Sequence, residues 1–461
     1  MELAVIILAA GIGKRMKSTL PKVLHPLLGR PMLSYVIDAV RGIFPSRIVF
    51  VIGYGSEGVR KAINQNQIEY VIQSEQLGTG HAVVCAKKLL GQFDGNIVIL
   101  NGDFPLIRSE TLKNFIDEHN RTKAVVSILT NVMDNPYGYG RVIRSGSGDV
   151  LRVVEEKDAT LEERTLTEIN TGAYCVESGS LWEALEKIGT ENEQQEYYLP
   201  DIINIISRGG NKVVAYIAAD SEEVLGINNR AELGAVEEIM RRRTNNSLML
   251  SGVTLVNPEV TYISPHVSIG ADTLIYPNTF IYGNTKIGRG CAIGPSVWIE
   301  DSQIGSEVTI KFSSYIDEAL IEDRVTIGPF AHIRPETNIL SGAKIGNFVE
   351  IKKSRVGRGS KVPHLSYVGD ATLGEGVNIG AGTITCNYDG FQKNETIIND
   401  DVFIGSDTML VAPVEIGKGA TTGAGSTITK DVPPGALAIG RAKQMIIRDW
   451  KRKPKEKKEN D

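Results

Sequence analysis

Apolar and polar positions divide the chain into two halves of different rhythm. In the first half, apolar runs at Leu3 to Ala10, Arg47 to Ile52, Ile68 to Ile72, Asn96 to Leu100 and Ala124 to Leu129 have the length and β-branched content of strands covered on both faces. Between them, apolar residues recur at helical spacing over Met32 to Val40, His81 to Leu90 and Leu112 to His119. Strand and helix in alternation predict α/β architecture with a mostly parallel, doubly wound sheet. From Tyr139 to Val176 the strand-like runs crowd together, which predicts an antiparallel addition walling a pocket. A charged helix follows from Asn229 to Asn246, with Leu233, Val236, Ile239 and Met240 on one face and the run Arg241 to Arg243 as a solvated one.

Beyond Leu250 the period changes. An aliphatic residue followed by Gly recurs at Ile269, Ile287, Ile293, Ile304, Ile327, Ile345, Val356, Val368, Leu373, Ile379, Ile404 and Ile416, with several intervals of 6, 12 or 18. A six-residue period predicts a hexapeptide β-helix, in which each unit forms one side of a triangular coil and points its aliphatic residue inward. Intervals of 11 between Ile345 and Val356 and of 25 between Ile379 and Ile404 break the count and predict interruptions. Met445, Ile446, Ile447 and Trp450 fit a short docking helix, and the last eleven residues, with six basic and three acidic side chains, predict a disordered tail.

Composition narrows the picture only slightly. At 461 residues, 42% hydrophobic and 23% charged, the chain is long enough for two or more domains. A net charge of -5 gives no bulk attraction for nucleic acid, so a phosphate-bearing ligand must be held by local cations. Cys85, Cys175, Cys291 and Cys386 are scattered without a Cys-x-x-Cys, against a disulfide scaffold or zinc site and in keeping with a reducing, cytoplasmic setting. The apolar start lacks a basic leader and runs into a glycine loop, so it reads as a strand and not a signal peptide. No run reaches the roughly 18 apolar residues of a membrane span.

Candidate chemistry begins where the first strand ends. In Leu8-Ala9-Ala10-Gly11-Ile12-Gly13 the glycines permit a tight turn with φ > 0, and Lys14, Arg15, Lys17 and Lys22 crowd cations beside it. A dinucleotide fingerprint would need Gly where Met16 stands, and a Walker loop would need Gly before Lys17-Ser18. Gln73 and Leu77-Gly78-Thr79-Gly80 suit either the reading of a pyrimidine edge or a plain strand-to-helix connection, with His81 in the first helical turn and without chemistry. Asp103, just past the run Ile97 to Leu100, is a cap or a Mg²⁺ ligand. Taken whole, Leu8, Gly11, Gly13, Arg15, Pro21 and Lys22 resemble the signature of the sugar-1-phosphate nucleotidyltransferases.

The resemblance extends over essentially the whole chain to the bifunctional bacterial uridylyltransferase/acetyltransferase family that makes UDP-N-acetylglucosamine. It is carried by Gln73, Gly78-Thr79, Asp103, Tyr139-Gly140-Arg141, Val154-Glu155, the run Glu168 to Gly172, and the run Gly226 to Arg230. In the second half it is carried by GNFVEIKKS from Gly346, HLSYVGD from His364 and NIGAGTITCNYDG from Asn378. It implies a Rossmann-like nucleotidyltransferase domain over 1–228, a linker helix over 229–250, a left-handed β-helix acetyltransferase domain over 251–441, and a short helix with a charged tail over 442–461.

By the same resemblance, Leu8, Ala9, Ala10, Gly11, Lys22, Gln73, Gly78 and Thr79 hold UTP, with Arg15 and Lys22 catalytic; Gly140, Glu155 and Asn170 hold the sugar; Asp103 and Asn228 share Mg²⁺. It assigns Arg334, Lys352, Tyr367 and Asn378 to glucosamine 1-phosphate, and Ala381, Asn387, Tyr388, Ser406, Ala424 and Arg441 to acetyl-CoA. His364 becomes the general base, with Glu350 as its orienting partner, and a homotrimer is implied. Asn101 departs from the aromatic residue expected in some relatives.

The two reactions ask for different residues. A sugar phosphate is already anionic at neutral pH and needs positioning and charge neutralisation, whereas an amine with pKa of about 8 must lose a proton first. Two other readings stand beside the bifunctional one: a nucleotidyltransferase whose β-helix only regulates or assembles, and a non-catalytic exchange-factor-like subunit. Residues Gly11 to Lys22 with Asp103 speak against the second, and His364 with Asn387-Tyr388 against the first.

Overall fold

The computed structural model describes residues 2–63 and 68–452, in two compact units, Met1–Thr244 and Asn245–Asp461. The first is built on a mixed sheet of β1 (Glu2–Ala9), β2 (Arg47–Ile52), β3 (Ile68–Ile72), β4 (Gly95–Asn101), β5 (Val126–Val132), β6 (Gly140–Arg144), β7 (Val150–Val154), β8 (Glu168–Glu177) and β9 (Val213–Ile217). Its order is β9-β5-β8-β4-β1-β2-β3, with β6 joining β8 to β7. β1 runs parallel to β2 and β4, whereas β8 is antiparallel to β4, β5 and β6.

The first apolar run is unbroken because both its faces are covered. Val5 and Ile7 pack with Leu33, Val36, Leu112 and Phe115, from the helices Met32–Arg41 and Ser109–Thr122. Ala4 and Ile6 pack on the opposite face with Val83, Trp182 and Ile203, from the helices Thr79–Leu90, Ser178–Leu185 and Asp201–Arg208. Leu8 pairs with Asn101, so the loops leaving β1 and β4 emerge side by side at the point where the connections diverge. Open α/β sheets bind ligands in that crevice.

In the second unit three parallel sheets of two- to four-residue strands wind as a β-helix, each strand pairing with the equivalent strand one coil on. Ile263, Ile281, Ile299, Ile316, Ile333 and Ile351 make one inward ladder, and all are fully buried. Burying each such side chain contributes about 1.5–3 kcal/mol. The glycine that follows the aliphatic residue has its own cause: a Cβ on Gly288 would stand 2.6 Å from the Gly305 backbone in the next coil.

The expected interruptions resolve differently. Between Ile345 and Val356 the coil is continuous: Ile351 holds the intervening side, and Lys344 pairs with Lys361 and Glu350 with Tyr367, 17 positions on. The interval of 25 is a true insertion, since Ile379 pairs directly with Ile404 and the surplus forms a small hairpin with Tyr388 bridged to Lys393. Asp389 Oδ1 accepts from the N–H groups of Phe391 and Gln392, each at 2.8 Å, which closes the turn.

Two further expectations need correction. The linker pattern forms one helix, Arg230–Leu250, but its basic run is not a free solvated face: Arg242 pairs with Glu222, and Arg243 with Asp220 at 2.9 Å and the Leu106 carbonyl at 3.1 Å. Residues 442–452 form irregular chain with one turn in place of a docking helix, leaving Met445 and Trp450 81% and 68% exposed. So short a segment has too few intrahelical bonds to fold as a helix without a face to pack on. The tail beyond residue 452 lies outside the described residues. Among those residues no helix is long and apolar enough to cross a membrane.

Candidate active sites

The crevice above β1 and β4 holds a cavity of about 500 Å³ lined by Leu8, Ala9, Ala10, Gly11, Lys22, Gln73, Gly78, Thr79 and Asp103. A second, of about 200 Å³, is lined by Arg15, Gly140, Glu155, Asn170 and Asn228 and shares Leu8, Thr79, Asn101 and Asp103 with the first. The residues expected to hold a nucleotide and those expected to hold its sugar thus surround adjoining spaces that meet at Asp103. Asn101, the departure noted in the sequence, lines both, and its amide packs into the space left by Gly172.

The glycine loop works differently from its sequence reading. Gly13 alone has positive φ, +63°, and a Cβ there would meet the Cβ of Lys22 at 2.7 Å. Gly11 has ordinary φ and open space where a Cβ would stand, so its absent side chain leaves room in the cavity. The turn brings the Lys22 ammonium onto the Asp103 carboxylate and 3.2 Å from Asn228 Oδ1. Arg15 donates to that same Oδ1 at 2.9 Å.

Asn228 is held from behind. Asn229 Oδ1 accepts from the N–H groups of Ala231 and Glu232, and Glu232 returns a carboxylate oxygen to the Asn228 N–H at 2.7 Å. This is a capping box displaced by one residue, and it fixes Asn228 at a helix start. Oxygens of Asp103 and Asn228 therefore already converge on one cation, and this hard donor pair fits a divalent metal that completes its shell with phosphate oxygens. Among the described residues no three His, Cys, Asp or Glu side chains gather as a metal site.

In the second cavity Asn170 Oδ1 accepts from Gly172 N–H at 2.9 Å and from the Tyr174 hydroxyl at 3.0 Å. Burial, then the negative charges of Asp158, Asp201 and Glu196, push the Glu155 carboxyl up to about 7. Burial and the nearby Glu155 also raise the Tyr174 hydroxyl.

Gln73, 4% exposed, donates through Nε2 to the Gly78 carbonyl at 3.1 Å and meets Nδ1 of His81, in the first turn of the helix Thr79–Leu90, at 3.2 Å. Gln76 and Glu196 also line the first cavity and escaped the sequence reading. Glu196 arrives on a segment bound across the glycine turn, with Gly80 N–H donating to Tyr197 O at 2.7 Å and Tyr197 N–H to Leu77 O at 2.8 Å. No local motif marks it.

On the β-helix, coil stacking aligns one corner. Asn347 stands level with His364, and backbone bonds from Gly382 to His364, Asp407 to Ala381 and Gly425 to Ser406 continue the column through Ala381, Ser406 and Ala424, whose carbonyl Arg441 reaches. His364 is exposed, and its Nδ1 lies 2.6 Å from Asn347 Oδ1. An amide oxygen only accepts, so the ring carries its proton on Nδ1 and presents a basic Nε2 outward. Glu350 is not the orienting partner; it pairs with Arg334 at 2.7 Å. Asn347 was discoverable, because it lies one 17-residue coil before His364.

Beside this corner Lys352 and Tyr367 lie in one sheet, Arg334 directly follows the strand His332–Ile333 of that sheet, and Asn378 lies in the neighbouring one. Lys393, on the inserted hairpin, joins them: its hydrogen bond with Lys352, then burial, then its charge and that of Arg334 hold the Lys352 ammonium below its ordinary value. The third basic side chain of this cluster sits on the insertion, which the period could not reveal. Asn387 donates to Tyr367 Oη at 3.4 Å and to Asp370, whereas Tyr388 points out, 63% exposed.

Residues 5–169 match the MobA-like NTP transferase domain, and 266–301 and 395–430 match the bacterial transferase hexapeptide family. The chain is 50% identical over 455 residues to "Bifunctional protein GlmU" of Geotalea uraniireducens, covering 98% of this chain and 100% of that protein. It is 50% identical over 445 residues to the GlmU of Carboxydothermus hydrogenoformans, at 96% and 99% coverage. To that of Halalkalibacterium halodurans it is 49% identical over 439 residues, at 95% and 96%.

Proposed function

This chain belongs to the family of the bifunctional GlmU proteins, and from that premise we infer that it builds UDP-N-acetylglucosamine by two successive transfers. Acetyl passes from acetyl-CoA to glucosamine 1-phosphate at the β-helix corner. Uridylyl then passes from UTP to N-acetylglucosamine 1-phosphate in the cleft, releasing pyrophosphate. The observation that supports this best is the contrast between the centres: cations and a carboxylate line the cleft, whereas an oriented, outward-facing imidazole marks the corner.

In the cleft the sugar phosphate oxygen attacks the α-phosphorus of UTP; that P–O bond forms as the α–β bridge breaks and pyrophosphate leaves with the electron pair. Arg15 and Lys22 hold the triphosphate and offset its charge. Gln73, Gly78 and Thr79 hold the uracil end, and Gly140, Glu155 and Asn170 the sugar. Asp103 and Asn228 would hold Mg²⁺, which supplies charge neutralisation at the phosphates. The attacking phosphate needs no base.

At the corner the amine does. The ammonium first loses one proton to water; Nε2 of His364 then takes a second as the neutral nitrogen attacks the thioester carbonyl, and CoA leaves as thiolate and is protonated by the imidazolium. Asn347 keeps the ring in the working tautomer. Arg334, Lys352 and Lys393 neutralise the sugar phosphate, with Tyr367 and Asn378 beside it. Ala381, Asn387, Tyr388, Ser406, Ala424 and Arg441 receive acetyl-CoA.

The same proposal includes a homotrimer in the cytoplasm. Its support is an apolar column up one β-helix edge, Phe312, Phe330, Phe348 and Leu365, 43%, 43%, 56% and 60% exposed. Such a continuous patch marks an interaction surface. The test is an assay with glucosamine 1-phosphate, acetyl-CoA, UTP and Mg²⁺, read separately for CoA and pyrophosphate, alongside the mass in solution. Both products and a mass of three chains are expected; pyrophosphate without CoA, given N-acetylglucosamine 1-phosphate, would leave a single-function enzyme.

A further inference from the structure

An amide side chain can offer a ligand either N–H donors or an oxygen acceptor, and the two choices favour opposite bases. Gln73 follows the strand Ile68–Ile72 and is 4% exposed, so neighbouring protein atoms set its orientation. The Gly78 carbonyl, 3.1 Å from Nε2, only accepts, which favours nitrogen on that side by one hydrogen bond. His81 Nδ1 stands 3.2 Å from the same Nε2 and takes its second N–H when the ring proton is on Nε2 of the histidine. With both donors engaged, the Gln73 oxygen is left for the nucleotide. Uracil meets an acceptor with its N3–H, whereas cytosine carries a lone pair at N3 and would set lone pair against lone pair.

We propose that His81 is a positioning residue for base selection, locking the Gln73 amide with its oxygen toward the base so that the cleft takes a pyrimidine bearing N3–H and rejects cytosine. The inference rests on the uridylyl-transfer reading with Gln73 at the base. Without an acceptor at position 81 only the bond to the Gly78 carbonyl still holds the amide, so turning it toward cytosine costs one hydrogen bond where it cost two.

The experiment compares kcat/KM for UTP and CTP, with N-acetylglucosamine 1-phosphate as acceptor and pyrophosphate as the readout. In His81→Leu the UTP-over-CTP ratio falls about tenfold, the scale of one hydrogen bond in a discriminating site. His81→Asn, whose Oδ1 lies near the position of Nδ1, restores most of the ratio, which a merely structural role would not do. His81→Ala, at a half-exposed first-turn site where alanine favours the helix, is read the same way if the leucine variant does not fold. The binding ratio of the two nucleotides serves where turnover is lost. An unchanged ratio in a folded acceptor-free variant, or a lowered ratio that asparagine does not recover, overturns the inference. A wild-type protein that releases no pyrophosphate from UTP overturns the functional reading instead.

Discussion

Replacing Glu155 by Gln should make the protein more stable in mild alkali and poorer at binding its sugar phosphate. Burial and the surrounding carboxylates raise this carboxyl from an ordinary value of 4.5 to about 7. The unfolded chain therefore releases its proton between those two pH values while the native chain keeps it. Stability from this group is whole below pH 4.5 and is lost as pH rises through 7. At about 1.4 kcal/mol per pH unit the interval amounts to about 3 kcal/mol at pH 8. Glutamine keeps the shape and one acceptor oxygen but cannot ionise. At about 2–4 °C per kcal/mol for a unit of this size, its thermal transition should rise by roughly 6 °C or more at pH 8 and stay unchanged at pH 4.5. Calorimetry on the full chain measures this, with UDP-N-acetylglucosamine identifying the transition that belongs to the first unit. The KM for N-acetylglucosamine 1-phosphate should rise at the same time. A transition shifted equally at both pH values, or lowered at pH 8, would refute the argument that ionisation at this site opposes folding.

His119 should act with the opposite sign. Burial depresses its imidazole to about 4, so stability falls as pH drops from 6.5 toward 4, by about 3 kcal/mol, and His119→Leu should flatten that slope in denaturant titrations. Lys22→Ala and Asp103→Ala should each lower pyrophosphate release by about two orders of magnitude or more while CoA release stays at the wild-type rate; parallel loss of both would indicate unfolding. Asn347→Ala should cut kcat for acetyl transfer by about tenfold or more and move its pH profile, with KM for acetyl-CoA little changed; a profile identical to wild type would remove Asn347 from the mechanism.

Much of this was legible in the residue pattern, and the reasons it was legible are physical. The run Leu3 to Ala10 announces a strand with helices on both faces, because Val5 and Ile7 need a different cover from Ala4 and Ile6. The six-residue period works because one inward aliphatic residue per side is all a triangular coil can hold. Contacts that cross between distant segments leave no mark in a local motif, even where, as at Asn347, the coil length reveals them. Asn347 supplants Glu350 beside His364 because 17 residues separate coils, a distance that a motif read locally does not span. Lys393 sits on the one insertion that obeys no period. The partners of Arg242 and Arg243, Glu222 and Asp220, lie about twenty residues upstream across a turn, so a basic run reads as solvated when it is paired. The apolar side chains of Met445 to Trp450 encode a wish for burial without naming the surface that meets it.

The central claim is that two independent centres on one chain meet attackers of opposite charge, one without a base and one with it. Mixing Lys22→Ala protein with His364→Ala protein tests this most directly, starting from glucosamine 1-phosphate, acetyl-CoA, UTP and Mg²⁺. Each variant alone should make almost no UDP-N-acetylglucosamine, and the mixture should make it at a rate approaching that of the wild type. A mixture as inactive as its components, with both partial reactions lost in either variant, would contradict the account.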